Sequence, residues 1–221
     1  MKHPAGSCLV SFGTTRVLCS ATIDSDLPPF LRGGDSGWLT AEYAMLPGST
    51  PGTRKRREIG KRDGRSTEIQ RLVGRSLRAA VNLKRLSQIS VTIDCDVLDA
   101  DGGTRTAAIS GGWVALYDAL RVLADESGLG GPGYYLLGQV AAVSVGIVDG
   151  AVVCDLDYEH DSRAEVDMNV VKRDDELIEV QGTGEKNSFT RSQLNGLLDA
   201  ADNGIEVIYA AQREALGIDR I

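Results

Sequence analysis

Asp94-Cys-Asp-Val-Leu-Asp-Ala-Asp-Gly-Gly-Thr-Arg-Thr-Ala-Ala-Ile-Ser-Gly-Gly112 joins a predicted strand to a predicted helix. Upstream, Ile89, Val91, Ile93, Cys95 and Val97 alternate with Ser90, Thr92, Asp94 and Asp96, the period of a strand with one buried face. Downstream, Ile109, Trp113, Leu116, Leu120 and Leu123 recur at helical spacing until Glu126-Ser127-Gly128 stops the run. Between them, Gly102 and Gly103 let the backbone turn and present N–H groups where a helix opens, with the Thr104 hydroxyl and the Arg105 guanidinium alongside. Backbone donors and a planar cationic fork at a helix start suit an anion. A tight strand-to-helix connection is the plain alternative reading of the loop.

The 221 residues, 42% hydrophobic, are enough to bury a full core. No apolar run has the length of a membrane span, and Met1 to Ser7 has no signal-peptide core, so a cytoplasmic protein is expected. Cys8, Cys19, Cys95 and Cys154 sit singly in apolar or alternating stretches, without metal-site spacing, and read as buried cytosolic thiols. Net charge is −7, yet residues 54–85 hold twelve of the 24 Lys and Arg against Glu58, Asp63 and Glu68. That window carries +9 and the remainder −16. An acidic body with one basic segment can grip a polyanion there and stay soluble elsewhere.

The chain opens with a hairpin, Cys8 to Phe12 and Arg16 to Ile23, then a loop rich in Pro and Gly, then a strand from Trp38 to Leu46. Arg54 to Arg65 reads as a basic, glycine-broken loop. A helix is expected from Thr67, with Thr67 and Gln70 as a capping box and Ile69, Leu72, Val73, Leu77, Ala80 and Val81 as its apolar stripe. Arg65 would then precede the cap, where an anion also feels the helix N-terminus. Arg71, Arg75 and Arg78 fall on another face and read as solvated. Gly128 to Gly133 matches GxGxxG, but it follows a helix and contains a proline, so it is no dinucleotide site.

Val140 to Val148 and Ala151 to Tyr158 flank Asp149-Gly150, a hairpin signal. Further strands are expected at Val166 to Val171 and Leu177 to Val180. A last helix opens on the capping box Thr190 to Gln193 and buries Leu194, Leu197, Leu198, Ile205 and Ile208. The expected fold is α/β (α+β), with two similar hairpin, strand and helix units packed together. The halves would be about 1–88 and 134–221, joined within one domain by the strand, loop and helix of 89–127.

Asp155, Asp157, Glu159, Asp161, Glu165 and Asp167 crowd the link between two of these strands. Most read as solvated charges. Asp161 and Asp167 flank a reversal that can bring both carboxylates to one point. Held about 4 Å apart they repel by roughly 4 kcal/mol at an effective dielectric near 20, so such a pair needs a cation or a shared proton. Mg²⁺ fits, being held by one or two carboxylates together with substrate phosphates. The only histidines are His3 and His160, and no nucleophile-elbow, Walker or zinc pattern is present. His160 reads as a loop residue. An arginine-lined anion site beside a metal-binding acid pair needs no protein nucleophile, because a bound phosphate or water can attack.

Four stretches resemble the ribonuclease PH family, bacterial phosphate-dependent exoribonucleases that trim transfer RNA 3′ ends. They are Gly37 to Tyr43, Arg65 to Ala80, Asp94 to Ile109 and Asp161 to Val170, and the likeness spans nearly the whole chain. The resemblance implies an orthophosphate site at Arg65, Gly103, Thr104 and Arg105, and a metal-binding pair, Mg²⁺ or Mn²⁺, at Asp161 and Asp167. It implies a homohexameric ring, a trimer of dimers, whose basic loop grips transfer RNA through Arg54 and Arg57. Gly48 stands where many members carry an arginine, and the loop differs in length. Members also begin with a further N-terminal strand ahead of the Lys2-His3 run, so the chain is expected to be a fragment, to have a mis-assigned start, or to be a variant whose missing strand leaves a sheet edge unpaired.

The implied reaction is phosphorolysis of tRNA precursors and other RNA 3′ ends, releasing nucleoside diphosphates, and it is reversible as a tRNA nucleotidyltransferase. A catalytically silent RNA-binding ring subunit of an exosome-like assembly, or a hydrolytic nuclease, are the alternatives.

Overall fold

Alternation around Cys95 builds the middle of a four-stranded sheet. In the computed structural model, which describes residues 1–31, 33–52 and 64–219, the strand β4 (Ser90–Asp99) pairs with three predecessors. These are β1 (Gly6–Phe12), β2 (Thr15–Asp24) and β3 (Trp38–Met45), in the order β1-β2-β4-β3. β3 runs parallel to β4, and the other pairs are antiparallel. Val17, Cys19, Ala21, Leu39, Ala41, Tyr43, Val91, Ile93, Cys95 and Val97 all point to one buried face. The opposite face carries Thr40, Glu42, Asp94 and Asp96, as a period of two requires.

Two helices cover that buried face. α1 (Gly64–Arg78) packs on β3, and α2 (Thr104–Glu126) packs on β1 and β2. α1 starts a turn earlier than the Thr67 capping box predicts. Ser66 is buried together with Ile69, Val73 and Leu77, so the packed stripe extends upstream and draws Arg65 and Thr67 into the first turn. Tertiary burial overrides a local cap signal here.

The second sheet has the order β6-β5-β7-β8, antiparallel throughout. Its strands are β5 (Val140–Val148), β6 (Ala151–Cys154), β7 (Val166–Arg173) and β8 (Glu176–Gly184). Asp149 and Gly150 both have positive φ, as a tight hairpin turn needs. β6 stops short of the predicted Tyr158 because Asp155 turns into the left-handed region at φ 61°. A short helix follows that no periodicity announced, α3 (Tyr158–Arg163). α4 (Arg191–Leu216) begins on the expected capping box, with Thr190 and Gln193 bonding reciprocally.

Alternation within β7 separates two environments. Val166, Met168 and Val170 join Leu197, Ala201 and Ile205 of α4 in one core. Val171, with Val140 and Ala142 of β5, faces the other way and joins the core around α2. α2 therefore lies between the two sheets, and its burial runs all round the helix instead of along the predicted stripe. Its N-terminus opens where the two halves meet.

Candidate active site at the junction of the two sheets

The loop before α2 delivers backbone donors to a cavity. Gly103 adopts φ 56° at the N-cap and supplies no side chain, so the first-turn N–H groups of α2 have no side-chain cap. Thr104 lies at the first helical position, where it accepts a 2.8 Å hydrogen bond from the Tyr43 hydroxyl of β3. With its oxygen engaged in this way, the Thr104 hydroxyl hydrogen is left to donate elsewhere. Burial pushes the Tyr43 phenol pKa up, which keeps it protonated as that donor.

Arg105 follows, its side chain only 17% exposed. Its Nη1 donates to Glu68 Oε1 of α1 at 3.1 Å and to Gln181 Oε1 of β8 at 3.0 Å. Gln181 Nε2 in turn donates to Glu68 Oε1 at 3.3 Å. Two elements, one from each half, thus hold one guanidinium. Arg65, in the first turn of α1, projects into the same space.

The acids arrive from the other side. Asp167 stands on β7 opposite Gly146 and Thr183, on the face away from α4, and Asn169 lies two residues on in the same row. Asp161 comes from α3, a helix capped by Asp157, which accepts the His160 N–H at 2.8 Å. Gly102 makes this approach possible. A Cβ there would lie 2.2 Å from the Leu156 carbonyl oxygen and 2.7 Å from the Asp157 carbonyl carbon. Burial, with Asp161 second, raises the Asp167 carboxyl pKa to about 6, while Arg105 and Arg65 oppose the rise.

Together these groups wall one cavity of about 470 Å³, lined by Arg65, Gly103, Thr104, Arg105, Asp161 and Asp167 among others. All six predicted site residues with described positions meet there. Arg54 and Arg57 lie outside the described residues. Among the described residues no group of three or more His, Cys, Asp or Glu could hold a metal ion by itself. Asp161 and Asp167 still fit a hard cation, since their oxygens are hard donors and Asp167 is disfavoured as an isolated anion. Such a cation would need further oxygens from a phosphate or water.

Other predicted roles change. Arg75 pairs with Glu179 of β8, and Arg78 stacks over Trp38 at 4.8 Å while donating to the Leu39 carbonyl, so neither is merely solvated. His160 belongs to α3, not to a loop. Its Nδ1 lies 2.7 Å from Asp157 Oδ1, and it does not line the cavity. All four cysteines are free thiols, but only Cys19 and Cys95 are buried, with Cys8 and Cys154 at intermediate depth. Tyr43, Glu68, Gln181, Asn169 and Tyr158 were missed as site residues. Tyr43, Glu68 and Asn169 fall in the stretches that carry the family resemblance, and Tyr158 ends a predicted strand, but none of them carries a motif of its own.

Residues 1–121 match domain 1 of the 3′ exoribonuclease family, and residues 138–204 match its domain 2. The chain is 57% identical to ribonuclease PH of Corynebacterium glutamicum (strain R), over 98% of this chain and 88% of that protein. It is 54% identical to ribonuclease PH of Corynebacterium diphtheriae, over 97% and 88%. Among solved structures it is similar to rice (Oryza sativa) Rrp46, with TM-score 0.77 and 15% identity over 98% of this chain and 90% of that one. It is also similar to the Archaeoglobus fulgidus exosome with RNA bound to the active site, with TM-score 0.75 and 23% identity over 96% and 84%. By both family domains and by these relatives, the chain belongs to the ribonuclease PH family of 3′ exoribonucleases.

Proposed function

We propose that the cavity at the α2 N-terminus carries out phosphorolysis of RNA 3′ ends, with orthophosphate as the attacking group and a nucleoside diphosphate as product. The observation that carries this reading is the meeting of two charge types in one cavity: Arg65, Thr104, Arg105 and uncapped helix N–H groups together with Asp161 and Asp167.

Orthophosphate is held by Arg65, Arg105, the Thr104 hydroxyl and the Gly103–Thr104 backbone. Offsetting its charge matters because it must approach a second anion, the last phosphodiester of the RNA. An oxygen of orthophosphate attacks that phosphorus, the bond to the preceding 3′ oxygen breaks, and the terminal nucleotide leaves as a diphosphate. Asp161 and Asp167 would hold Mg²⁺ or Mn²⁺, which would supply positive charge to offset that of the reacting phosphates. Arg105 stays aimed because Glu68 and Gln181 hold it on one side. The phosphodiester is exchanged for the phosphoanhydride of a diphosphate and is not lost to water, so the bond energy is largely kept and the reverse reaction, nucleotidyl transfer onto tRNA 3′ ends from diphosphates, also runs.

The resemblance supports tRNA precursors as substrates, Arg54 and Arg57 as RNA contacts, and a hexamer built as a trimer of dimers. Four free thiols suit the cytoplasm. No helix among the described residues is long and apolar enough to cross a membrane. We read residues 1–221 as one functional domain of two related halves joined by 89–127.

The test is incubation with an end-labelled tRNA precursor and Mg²⁺, with and without orthophosphate, followed by identification of the released nucleotides. Shortening that needs phosphate and yields diphosphates is expected. Monophosphates released without phosphate would make the enzyme a hydrolase, and intact RNA under both conditions would favour a silent ring subunit.

A further inference from the structure

We propose that Tyr158 is the base platform of this site, its ring stacking on the base of the 3′-terminal nucleotide while that nucleotide's phosphodiester lies against the acid pair. The inference rests on the phosphorolytic reading and adds the part of the RNA that the charged walls leave unrecognised.

Tyr158 opens α3 and is 61% exposed, yet it lines the cavity that holds Arg65, Arg105, Asp161 and Asp167. More than half of the residue's surface is therefore open to a ligand in that cavity. Its backbone is fixed all the same. The Tyr158 N–H donates to Asp101 Oδ1 at 3.3 Å, Asp157 caps α3, and the close contact of Gly102 with residues 156–157 holds the segment against the α2 loop. Asp161 lies three residues further along the same short helix, so ring and carboxylate share a face. A base on the ring therefore sits next to the carboxylate that faces the reacting phosphate. Met45, Pro51, Ala100 and Leu156 give the cavity an apolar side, where a base can lie without losing polar contacts.

Stacking also suits the chemistry. An enzyme that removes nucleotides one after another must accept each base in turn, and every base has a π-face. Recognition by hydrogen bonds to base edges would stall on the wrong letter. The Tyr158 hydroxyl is unnecessary for this, so phenylalanine should replace it.

Two measurements on the full chain test this. An RNA with 2-aminopurine at its 3′ end is bound with Mg²⁺ in the absence of phosphate, and stacking is read as fluorescence quenching. The same proteins are then assayed for shortening of an unlabelled RNA at varied RNA and phosphate concentrations. Parent and Tyr158→Phe should quench alike, and Tyr158→Ala should lose the quench. In the assay Tyr158→Ala should raise KM for RNA by roughly 5- to 100-fold, the loss expected for one stacked base, with KM for phosphate unchanged.

Unchanged quenching and RNA KM in Tyr158→Ala would overturn the proposal, as would a parent that shows no quench. A parallel rise in the phosphate KM would also overturn it, because Tyr158 would then be acting through the placement of α3. If the parent shortens RNA without needing phosphate, the phosphorolytic reading fails, while the quench difference still reports whether the base stacks.

Discussion

Arg105 donates from Nη1 to Oε1 of Gln181 at 3.0 Å, a bond between residues 76 positions apart that ties the start of α2 to β8. Glu68 of α1 accepts from the same nitrogen. The guanidinium is thereby preorganised by groups that need not touch phosphate. Gln181→Ala should leave the fold intact and raise KM for orthophosphate about 5- to 10-fold, the worth of one hydrogen bond near 1 kcal/mol. Arg105→Ala, which removes the donor itself, should cost about 10²–10³ in kcat. Initial rates at varied phosphate check both. A Gln181→Ala enzyme with the parent's phosphate KM would remove Gln181 from the site.

Asp167 couples function to stability with opposite signs. Its carboxyl titrates near 6 in the folded chain against an ordinary 3.8, raised chiefly by burial and then by Asp161. The folded state therefore holds more protons than the unfolded state between those values, and stability falls as pH rises through that window. Asp167→Asn removes the penalty. Discounted for the solvent that still reaches the group, the gain is about 1–2 kcal/mol. The metal-free variant should melt about 2–6 °C above its parent at pH 8. The difference should shrink at pH 4.5, while phosphorolysis is lost. Calorimetry across pH, run with chelator, gives the answer; a variant less stable than its parent at pH 8 would refute the coupling.

Tyr43→Phe deletes the 2.8 Å donor to Thr104 and changes little else, because the ring stays in the core. Thr104 can then turn its own hydrogen away from the cavity. A loss of about 1 kcal/mol in stability and a roughly 3- to 10-fold rise in the phosphate KM are expected. Thr104→Val in the Tyr43→Phe background should add little, since both act through one hydroxyl. Full additivity of the two changes would contradict the arrangement.

Gly102→Ala tests how α3 reaches the site. The new Cβ would meet the Leu156 carbonyl oxygen at 2.2 Å, and φ is +79°, so both space and backbone oppose it. We expect a loss of about 2–4 kcal/mol and a melting point lower by about 5–12 °C. Activity should fall further than stability explains, because the 156–158 segment must move and carry Asp161 with it. Thermal melts and rates measured well below the transition separate the two effects.

Much of this molecule was written in short-range pattern. Alternation marked β4 and the two hairpins, the Thr190–Gln193 box marked the start of α4, and the Gly-Gly-Thr-Arg turn marked the opening of α2. Each signal depends on neighbours within a few residues, where backbone sterics and one buried face suffice. Other elements depended on contacts the chain makes with itself at long range. α1 begins at Gly64 because Ser66 joins its buried stripe, and α3 was too short for periodicity, although Asp157 supplied a cap.

The same division runs through the site. Charge type, glycine placement and the acid pair are properties of the sequence, because they follow from which side chains exist and how far apart they lie. Only the tertiary structure brought Asp167 of β7 and Asp161 of α3 to the N-terminus of α2, and aimed Arg105 with Glu68 and Gln181. The physical reason is that α2 is buried between two sheets: packing apolar surface on both sides of one helix carries the loops at its N-terminus to a shared cavity.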